Sequence, residues 1–284
     1  MASTYCLLPK TIKMTSKPTL PKILFTDIDG TLLNSERELS NATITQIQRI
    51  KDQIKVILIS SRMPSAMTHL QEKLNIRELP LICYNGGLIL IDNEVVFSKT
   101  IPNAITKELI AFSKNALFHI SLYQNDDWYV PELDFWANRE INNTKVQPKV
   151  LSPLQTLYAW EKENREAHKI MCMGDVKAID KAYHFLTENF KDYLHCYRSK
   201  DTYIEIAEKS ISKKTAIEYL ANYYKTDINE VIAFGDNYND EEMLKAVGTG
   251  VAVANAKSEV LAIADYVTGA GKEDGVAEYI AKYI

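Results

Sequence analysis

Residues 22–31 read KILFTDIDGT, a short apolar run that meets two aspartates and then a glycine. A run of this length suits a strand buried on both faces, and the acidic and glycine residues that follow suit a turn at its end. The carboxylates then sit at the strand's mouth. Alternate strand residues point to one side, so Asp27 and Asp29 can face the same space, and Gly30 permits a sharp departure of the chain. Two neighbouring carboxylates can divide a reaction between a nucleophile and a proton carrier where a metal offsets their repulsion.

Outward from this stretch the same pattern repeats. Ile44, Ile47 and Ile50 stand at helical spacing within Asn41–Ile50, Ser40 is available as a cap, and KVILIS (55–60) follows as a second strand. A helical stretch from Pro64 to Leu74 leads to PLICYNGG (80–87). Towards the other end, a helix over Thr215–Tyr224 precedes the strand EVIAFGD (230–236), one over Asn239–Val247 precedes GTGVAVA (248–254), and one around Ser258–Ala264 precedes DYVT (265–268). Alternating units of this kind predict an α/β fold with a mostly parallel sheet and helices on both faces, built from residues 22–85 and 197–284.

The middle of the chain reads differently. GLILIDNEVVF (87–97) predicts a hairpin around Asp92-Asn93. LFHISLY, DDWYV, HKIMCMG and LHCYR predict strands, and Asn103–Ser113 and Ala178–Asn189 predict helices. These elements are expected to form a second α/β layer inserted over residues 86–196, with TYIEI (202–206) returning to the first layer. Trp128, Trp136 and Trp160 lie in this insert, and core filling is the expected role of each, ahead of a substrate-facing one. Residues 1–21 are expected to be a flexible extension. Their basic, hydroxyl-rich character also resembles an organelle-targeting tract, and Met14 is an alternative start.

Composition narrows the function classes. A chain of 284 residues that is 46% hydrophobic can bury a substantial core, as one large domain or two unequal ones. The net charge of −4, with no basic cluster interleaved with aromatics, argues against polymeric nucleic acid as a partner. The four cysteines form no C-x-x-C pair and suit a reducing cytoplasm, and the apolar runs are too short to cross a bilayer. Monomer and weak homodimer both remain open.

Strand ends on one edge of a parallel sheet converge and are recurrent ligand sites. Here they carry Asp27 and Asp29, Ser60, Asn85, Lys213, and Asp236 with Asp240. Singly, acidic residues at strand exits are ordinary turn formers. Together, the two carboxylate clusters offer the hard oxygen ligands that Mg²⁺ takes alongside water and substrate phosphate, while Lys213 and Ser60 suit phosphoryl oxygens. The five histidines lack a compact zinc-like spacing.

With these motifs in view, the chain from about Lys22 onward resembles the haloacid dehalogenase superfamily, in its Cof-type sugar-phosphatase-like branch with a large α/β cap. DIDGTLL (27–33) resembles the first catalytic motif, which implies Asp27 as nucleophile and Asp29 as general acid/base and backbone-carbonyl ligand of Mg²⁺. LISSR (58–62) resembles the second, with Ser60 on the phosphoryl group and Ser61 in place of the usual glycine. YNGG resembles a branch-specific segment that places Asn85 and Gly86 near the cap entrance. EIAEKSISKKTAI (205–217) resembles the lysine motif, with Lys213 as the catalytic lysine and Lys214 in the usual glycine position. GDNYND (235–240) resembles the fourth motif, which implies Asp236 on Mg²⁺, Asp240 supporting its shell and Asn239 on phosphate. The segments carrying Asn255 and TGAGKEDGVA (268–277) resemble the branch's closing segments.

The resemblance thus implies Mg²⁺-dependent hydrolysis of small phosphorylated metabolites, sugar phosphates or related monoesters, through an aspartyl phosphate on Asp27, with the insert closing over the site. A phosphosugar mutase is the enzymatic alternative. It would require a second phosphate-binding cluster in the cap, and Arg139, Arg165 and Arg198 form no compact signature in sequence. A non-catalytic phosphometabolite-binding protein is the other alternative, and the presence of all the acidic motif residues speaks against it.

Overall fold

The computed structural model describes residues 20–284, so all but the last two residues of the expected extension lie outside the described residues. Strand β1 (Ile23–Thr26), helix α1 (Asn41–Ile50), strand β2 (Lys55–Ile59), helix α2 (Ser65–Leu74) and strand β3 (Leu81–Cys83) build the first parallel units. Ser40 caps α1 by accepting the Thr43 backbone N–H at 3.0 Å, which satisfies one of the donors a helix start leaves unpaired. Strands β4 (Leu88–Ile91) and β5 (Glu94–Ser98) form the expected hairpin.

The inserted layer follows as α3 (Asn103–Ala116), β6 (His119–Gln124), β7 (Asp127–Val130), α4 (Phe135–Thr144), β8 (Lys149–Val150), α5 (Pro153–Glu163), β9 (Lys169–Met173), α6 (Val176–Phe190), β10 (Leu194–Lys200) and β11 (Tyr203–Glu208). The chain then completes the first layer with α7 (Lys213–Tyr223), β12 (Val231–Gly235), α8 (Glu241–Ala246), β13 (Thr249–Val253), α9 (Ser258–Ile263), β14 (Tyr266–Thr268) and α10 (Gly275–Tyr283).

Two sheets result. The larger has the order β14-β13-β12-β1-β2-β3-β4-β5, parallel from β14 to β3 and antiparallel thereafter. The smaller has the order β10-β11-β9-β6-β7-β8. Alternation along the central strands sends side chains to two separate cores. Ile23, Phe25, Ile57 and Ile59 pack with Ile217 and Leu220 of α7 and Met243 of α8. Leu24, Val56 and Leu58 pack with Ile47 of α1, Leu70 of α2 and Ile280 of α10. The sheet is therefore covered on both faces, which is why its strands read as continuous apolar runs.

The boundaries of the insert differ from the expected 86–196 at both ends. The β4–β5 hairpin belongs to the larger sheet, because the tight turn at Tyr84–Gly86 folds β4 back along β3 and pairs Leu81 with Leu90 and Cys83 with Leu88. TYIEI does not return to the first layer. It lies in β11, joined to β10 by a short turn that pairs Lys200 with Tyr203, and its other edge pairs with β9. A two-residue connection leaves adjacent strands no alternative to antiparallel pairing, so β10 and β11 stay in one sheet. The helix expected over Asn239–Val247 is also divided, into a 3₁₀ turn at Tyr238–Asp240 and α8.

Trp128 and Trp160 are fully buried in keeping with core filling, whereas Trp136 is half-buried and lines a cavity between the sheets. Among the described residues no helix is long and apolar enough to cross a membrane. Ile57 is completely buried at the centre of the larger sheet, so Ile57→Ala is expected to destabilise the fold by about 2–5 kcal/mol through lost burial and the cavity left behind. Urea unfolding of both proteins measures this, and a loss below about 1 kcal/mol would show that the site repacks.

Candidate active site

The ends of β1, β2, β3 and β12 open on one cavity of about 610 Å³ that is lined on the other side by the smaller sheet. Asp27 follows β1, Ser60 follows β2, Asn85 follows β3 and Asp236 follows β12, and all four line this cavity with Asp29 and Asn239. Its volume matches sites for small ligands.

At its base lies an ion cluster. Lys213, the first residue of α7, is completely buried and its Nζ donates to Asp27 Oδ1 and, at 2.6 Å, to Asp240 Oδ1. Asp240 is equally buried and its Oδ2 accepts the backbone N–H groups of Asp236 and Asn237 at 2.9 and 3.0 Å. Asp236 accepts from Thr31 Oγ1 at 2.9 Å. Oxygens of Asp27, Asp236 and Asp240 lie within 4.8 Å of one another. Burial pushes the Asp27 carboxyl well above the usual carboxylate range, against the pull of Lys213 and with the repulsion of Asp240 and Asp236 added. Burial and Asp240 likewise push Asp236 up to about 6. Burial opposes the charge on Lys213, but Asp240 and Asp27 outweigh it and hold the ammonium above its ordinary range. Once all three acids are ionised, one ammonium leaves a negative excess. A divalent cation would neutralise it, and the all-oxygen donor set is what Mg²⁺ takes, so these residues fit that ion.

Two glycines are forced by this packing. Gly30 has φ of +92°, and a Cβ there would collide with the Asp236 carboxylate. Gly86 has φ of +105°, and its Cβ would sit 2.8 Å from the Ser212 carbonyl oxygen just before Lys213. The left-handed backbone and the close approach together exclude a side chain at either position.

The remaining expected residues fall around the cluster. Ser60 is buried and its Oγ lies 3.3 Å from the Arg62 backbone N. Asn239 Nδ2 donates to Asn85 Oδ1 at 3.0 Å, which ties the end of β3 to the turn after β12. Asn255 bridges Gly30 and Gly271, donating to the first carbonyl at 2.9 Å and accepting from the second amide at 2.7 Å. Gly86 is buried behind Asn85 and is absent from the cavity wall, so its place is structural support. Ser61 does not lie in the left-handed region that would demand the usual glycine. Lys214 points away, 3.7 Å from Glu218 on the outer face of α7.

Other residues of the site gave a weaker signal in sequence. Arg62 takes both oxygens of Asp29, with Nε–Oδ2 and Nη2–Oδ1 at 2.7 Å, and Arg37 adds a contact to Oδ1 at 3.1 Å. The cavity walls disfavour a charge on Asp29, but the two guanidinium groups outweigh this and hold its carboxyl below the ordinary range. Arg62 stood in the quoted LISSR, yet only the fold shows that it reaches back to Asp29. From the opposite sheet, the Lys169 Nζ donates to the Ser61 carbonyl at 2.9 Å and lies 4.4 Å from the centre of the Tyr123 ring. Of the three arginines singled out in the insert, Arg139 and Arg198 line the cavity, whereas Arg165 turns to Gln124, Asp127 and Glu163.

Comparison with known proteins agrees with this geometry. The family model described as haloacid dehalogenase-like hydrolase matches residues 24–280. A candidate phosphatase of Haemophilus influenzae is 33% identical over 260 residues, covering 90% of this chain and 95% of that protein. The 5-amino-6-(5-phospho-D-ribitylamino)uracil phosphatase YitU of Bacillus subtilis is 26% identical, over 93% of this chain and 98% of its own length. The crystal structure of a haloacid dehalogenase-like hydrolase from Bacteroides thetaiotaomicron superposes with a TM-score of 0.85 at 27% identity, covering 93% of this chain and all of that one. Matched along nearly its whole described length, the chain belongs to the haloacid dehalogenase-like hydrolase family.

Proposed function

We propose that this phosphatase hydrolyses phosphate monoesters of small metabolites through an aspartyl phosphate on Asp27, with Asp29 as the proton carrier and Mg²⁺ as cofactor. The observation that carries the reading is the joining of Asp27, Asp236, Asp240 and Lys213 in one buried cluster that opens on a cavity of metabolite size. Asp27 and Asp236, with the Asp29 backbone carbonyl, would hold the ion, and Asp240 would orient the Asp236 loop through the two amide bonds it accepts. When bound, Mg²⁺ supplies charge neutralisation and Lewis acidity at the phosphoryl oxygens.

In this reading the protein's own residues carry the following steps. Asp27 attacks phosphorus in line with the ester oxygen, the P–O bond to the leaving group breaks, and Asp29 delivers a proton to that oxygen. Water then attacks the aspartyl phosphate while Asp29 takes a proton from it, which releases phosphate and restores Asp27. Lys213 remains charged beside Asp27 and offsets the charge that gathers on the transferring group, assisted by the Ser60 hydroxyl and the Asn239 amide. Arg62 holds Asp29 in its carboxylate form, which suits the second half. In the first half Asp29 must first release Arg62 and take up a proton from solvent, which it then passes to the leaving oxygen; the proton it takes from water in the second half restores the balance. The smaller sheet covers the cavity and would limit water during both.

The substrate side of the cavity comes from alternate residues of β9 and β11, namely Lys169, Met171, Met173, Tyr203 and Glu205. Apolar surface flanked by charged groups suits a sugar, polyol or ring-bearing leaving group, and the naming of the Bacillus subtilis relative places phosphoribityl compounds among the esters to try.

Asp27→Asn is expected to lower kcat by more than about 10³-fold in folded protein, measured as phosphate release from a panel of sugar, polyol, nucleoside and pyridoxal phosphates. Wild-type turnover by this variant would remove Asp27 as nucleophile. Asp29→Asn is expected to lower kcat by about 10²–10⁴-fold, with the larger loss on esters whose leaving group is a poor one. Equal losses on alkyl and p-nitrophenyl esters would argue against proton delivery by Asp29. Chelation of divalent ions is expected to abolish turnover, Mg²⁺ to restore it, and Asp236→Asn to raise the Mg²⁺ concentration needed. Undiminished activity after exhaustive chelation would rule out the metal assignment.

A further inference from the structure

Away from the Asp27 cluster, two groups of charges line the cavity. In one, Lys169 stands with Glu140 and Glu205; the two glutamates repel each other, and Glu140 lies in the field of Lys169. In the other, Arg139 of α4 and Lys200 of β10 meet Arg37 from the loop after β1. The Arg139 guanidinium lies 5.9 Å from the centre of the Trp136 ring and 5.7 Å from that of Tyr203, and the Lys200 ammonium lies 5.6 Å from the same Tyr203 ring. Burial and then the charges of Arg139 and Arg37 make the Lys200 ammonium easier to deprotonate than an ordinary lysine.

The local charge does not balance. Asp29 is the carboxylate beside Arg37, and Arg62 already occupies both of its oxygens. Among the described residues no carboxylate lies within 4.0 Å of the Arg139 or Lys200 head groups, although thirteen other lysines and arginines form such pairs. Like charges gathered in a cleft cost free energy and are retained where something negative is bound. Both aromatic rings hold the cations in place by their faces and leave the N–H donors for another group. Tyr203 lies opposite Met173 on the face of the smaller sheet that looks into the cavity, so the cluster shares the chamber with Asp27.

We propose that Arg139 and Lys200, with Arg37 beside them, form an anion subsite that receives a second negatively charged group, a carboxylate or another phosphate, carried by the leaving group of the substrate. This rests on the phosphatase reading above and narrows it to phosphate esters with a further anionic group. The guanidinium can take either oxyanion in a two-pronged contact, and the ammonium adds a point charge.

The test compares kcat/KM for matched esters on the Mg²⁺-supplemented full-length protein: fructose 1,6-bisphosphate against fructose 6-phosphate, and 3-phosphoglycerate against glycerol 3-phosphate. At least one charged member should be preferred by about 10-fold or more, and the preference should narrow as salt rises from about 50 to about 500 mM. Which pair shows it distinguishes a second phosphate from a carboxylate. The ratio should fall to near unity in the Arg139→Ala, Lys200→Ala double variant, mainly through KM. Hydrolysis of p-nitrophenyl phosphate with no preference in either pair, or a preference that survives the double substitution, would overturn the subsite and leave the phosphatase reading standing. Should no ester turn over, calorimetric titration of the same four compounds still decides. Tighter binding of a charged member, lost in the double variant, keeps the subsite while the phosphatase reading fails, and equal binding of each pair rejects the subsite.

Discussion

The structure depends on one buried ammonium. Lys213 is withdrawn entirely from water and bonds to Asp27, 186 residues earlier, and to Asp240, 27 residues later. A charge in such a place costs several kcal/mol unless it is paired, so the end of β1, the start of α7 and the turn after β12 are compelled to meet. Each partner brings further constraints. Asp240 spends its second oxygen on the amides of Asp236 and Asn237, and Asp236 crowds Gly30 so closely that no side chain fits there. A site assembled this way is held rigidly before any substrate arrives, which is the condition for electrostatic stabilisation of a transferring group.

The second sheet contributes by simple alternation. Ile204 and Ile206 of β11, with Ile170 and Cys172 of β9, face the helices α3, α5 and α6 and form the insert's own core. The intervening residues face the cavity, and they are the ones that vary in chemistry from lysine to methionine, tyrosine and glutamate. One pleated surface thus separates the insert's core from the cavity wall. Lys169 belongs to the cavity face yet donates to the Ser61 carbonyl, so the same sheet is also anchored to the loop that carries Ser60.

Asp29 occupies the boundary between the two layers. Its backbone precedes Gly30 in the first motif, while its side chain is held by Arg62, whose Nη1 in turn donates to the Ala66 carbonyl at 3.0 Å. The Asp29 carboxylate is therefore oriented by the second motif, and its freedom to move is tied to how firmly Arg62 is itself held.

Much of this was legible before folding. Apolar runs ending in acidic or flexible residues located β1, β2, β3, β12, β13 and β14, because a strand buried on both faces has no polar positions to spare. The motifs located Asp27, Ser60, Asn85, Lys213, Asp236 and Asp240, whose joining at one sheet edge follows from parallel strands sharing an end. The pattern did not reach α4, α5 or α10, and it misplaced the β4–β5 hairpin and β11, since a hairpin's periodicity is the same whichever sheet accepts its edge. What the sequence by itself determined was the family's motif residues and the strands that carry them. What only the tertiary structure decided was which distant charges become neighbours: Arg62 on Asp29, Lys169 on Ser61, and Arg139 with Lys200 around Tyr203. Local spacing fixes the direction of a side chain within its own element, but electrostatic energy depends on distances between elements, and those exist only once the two sheets have packed.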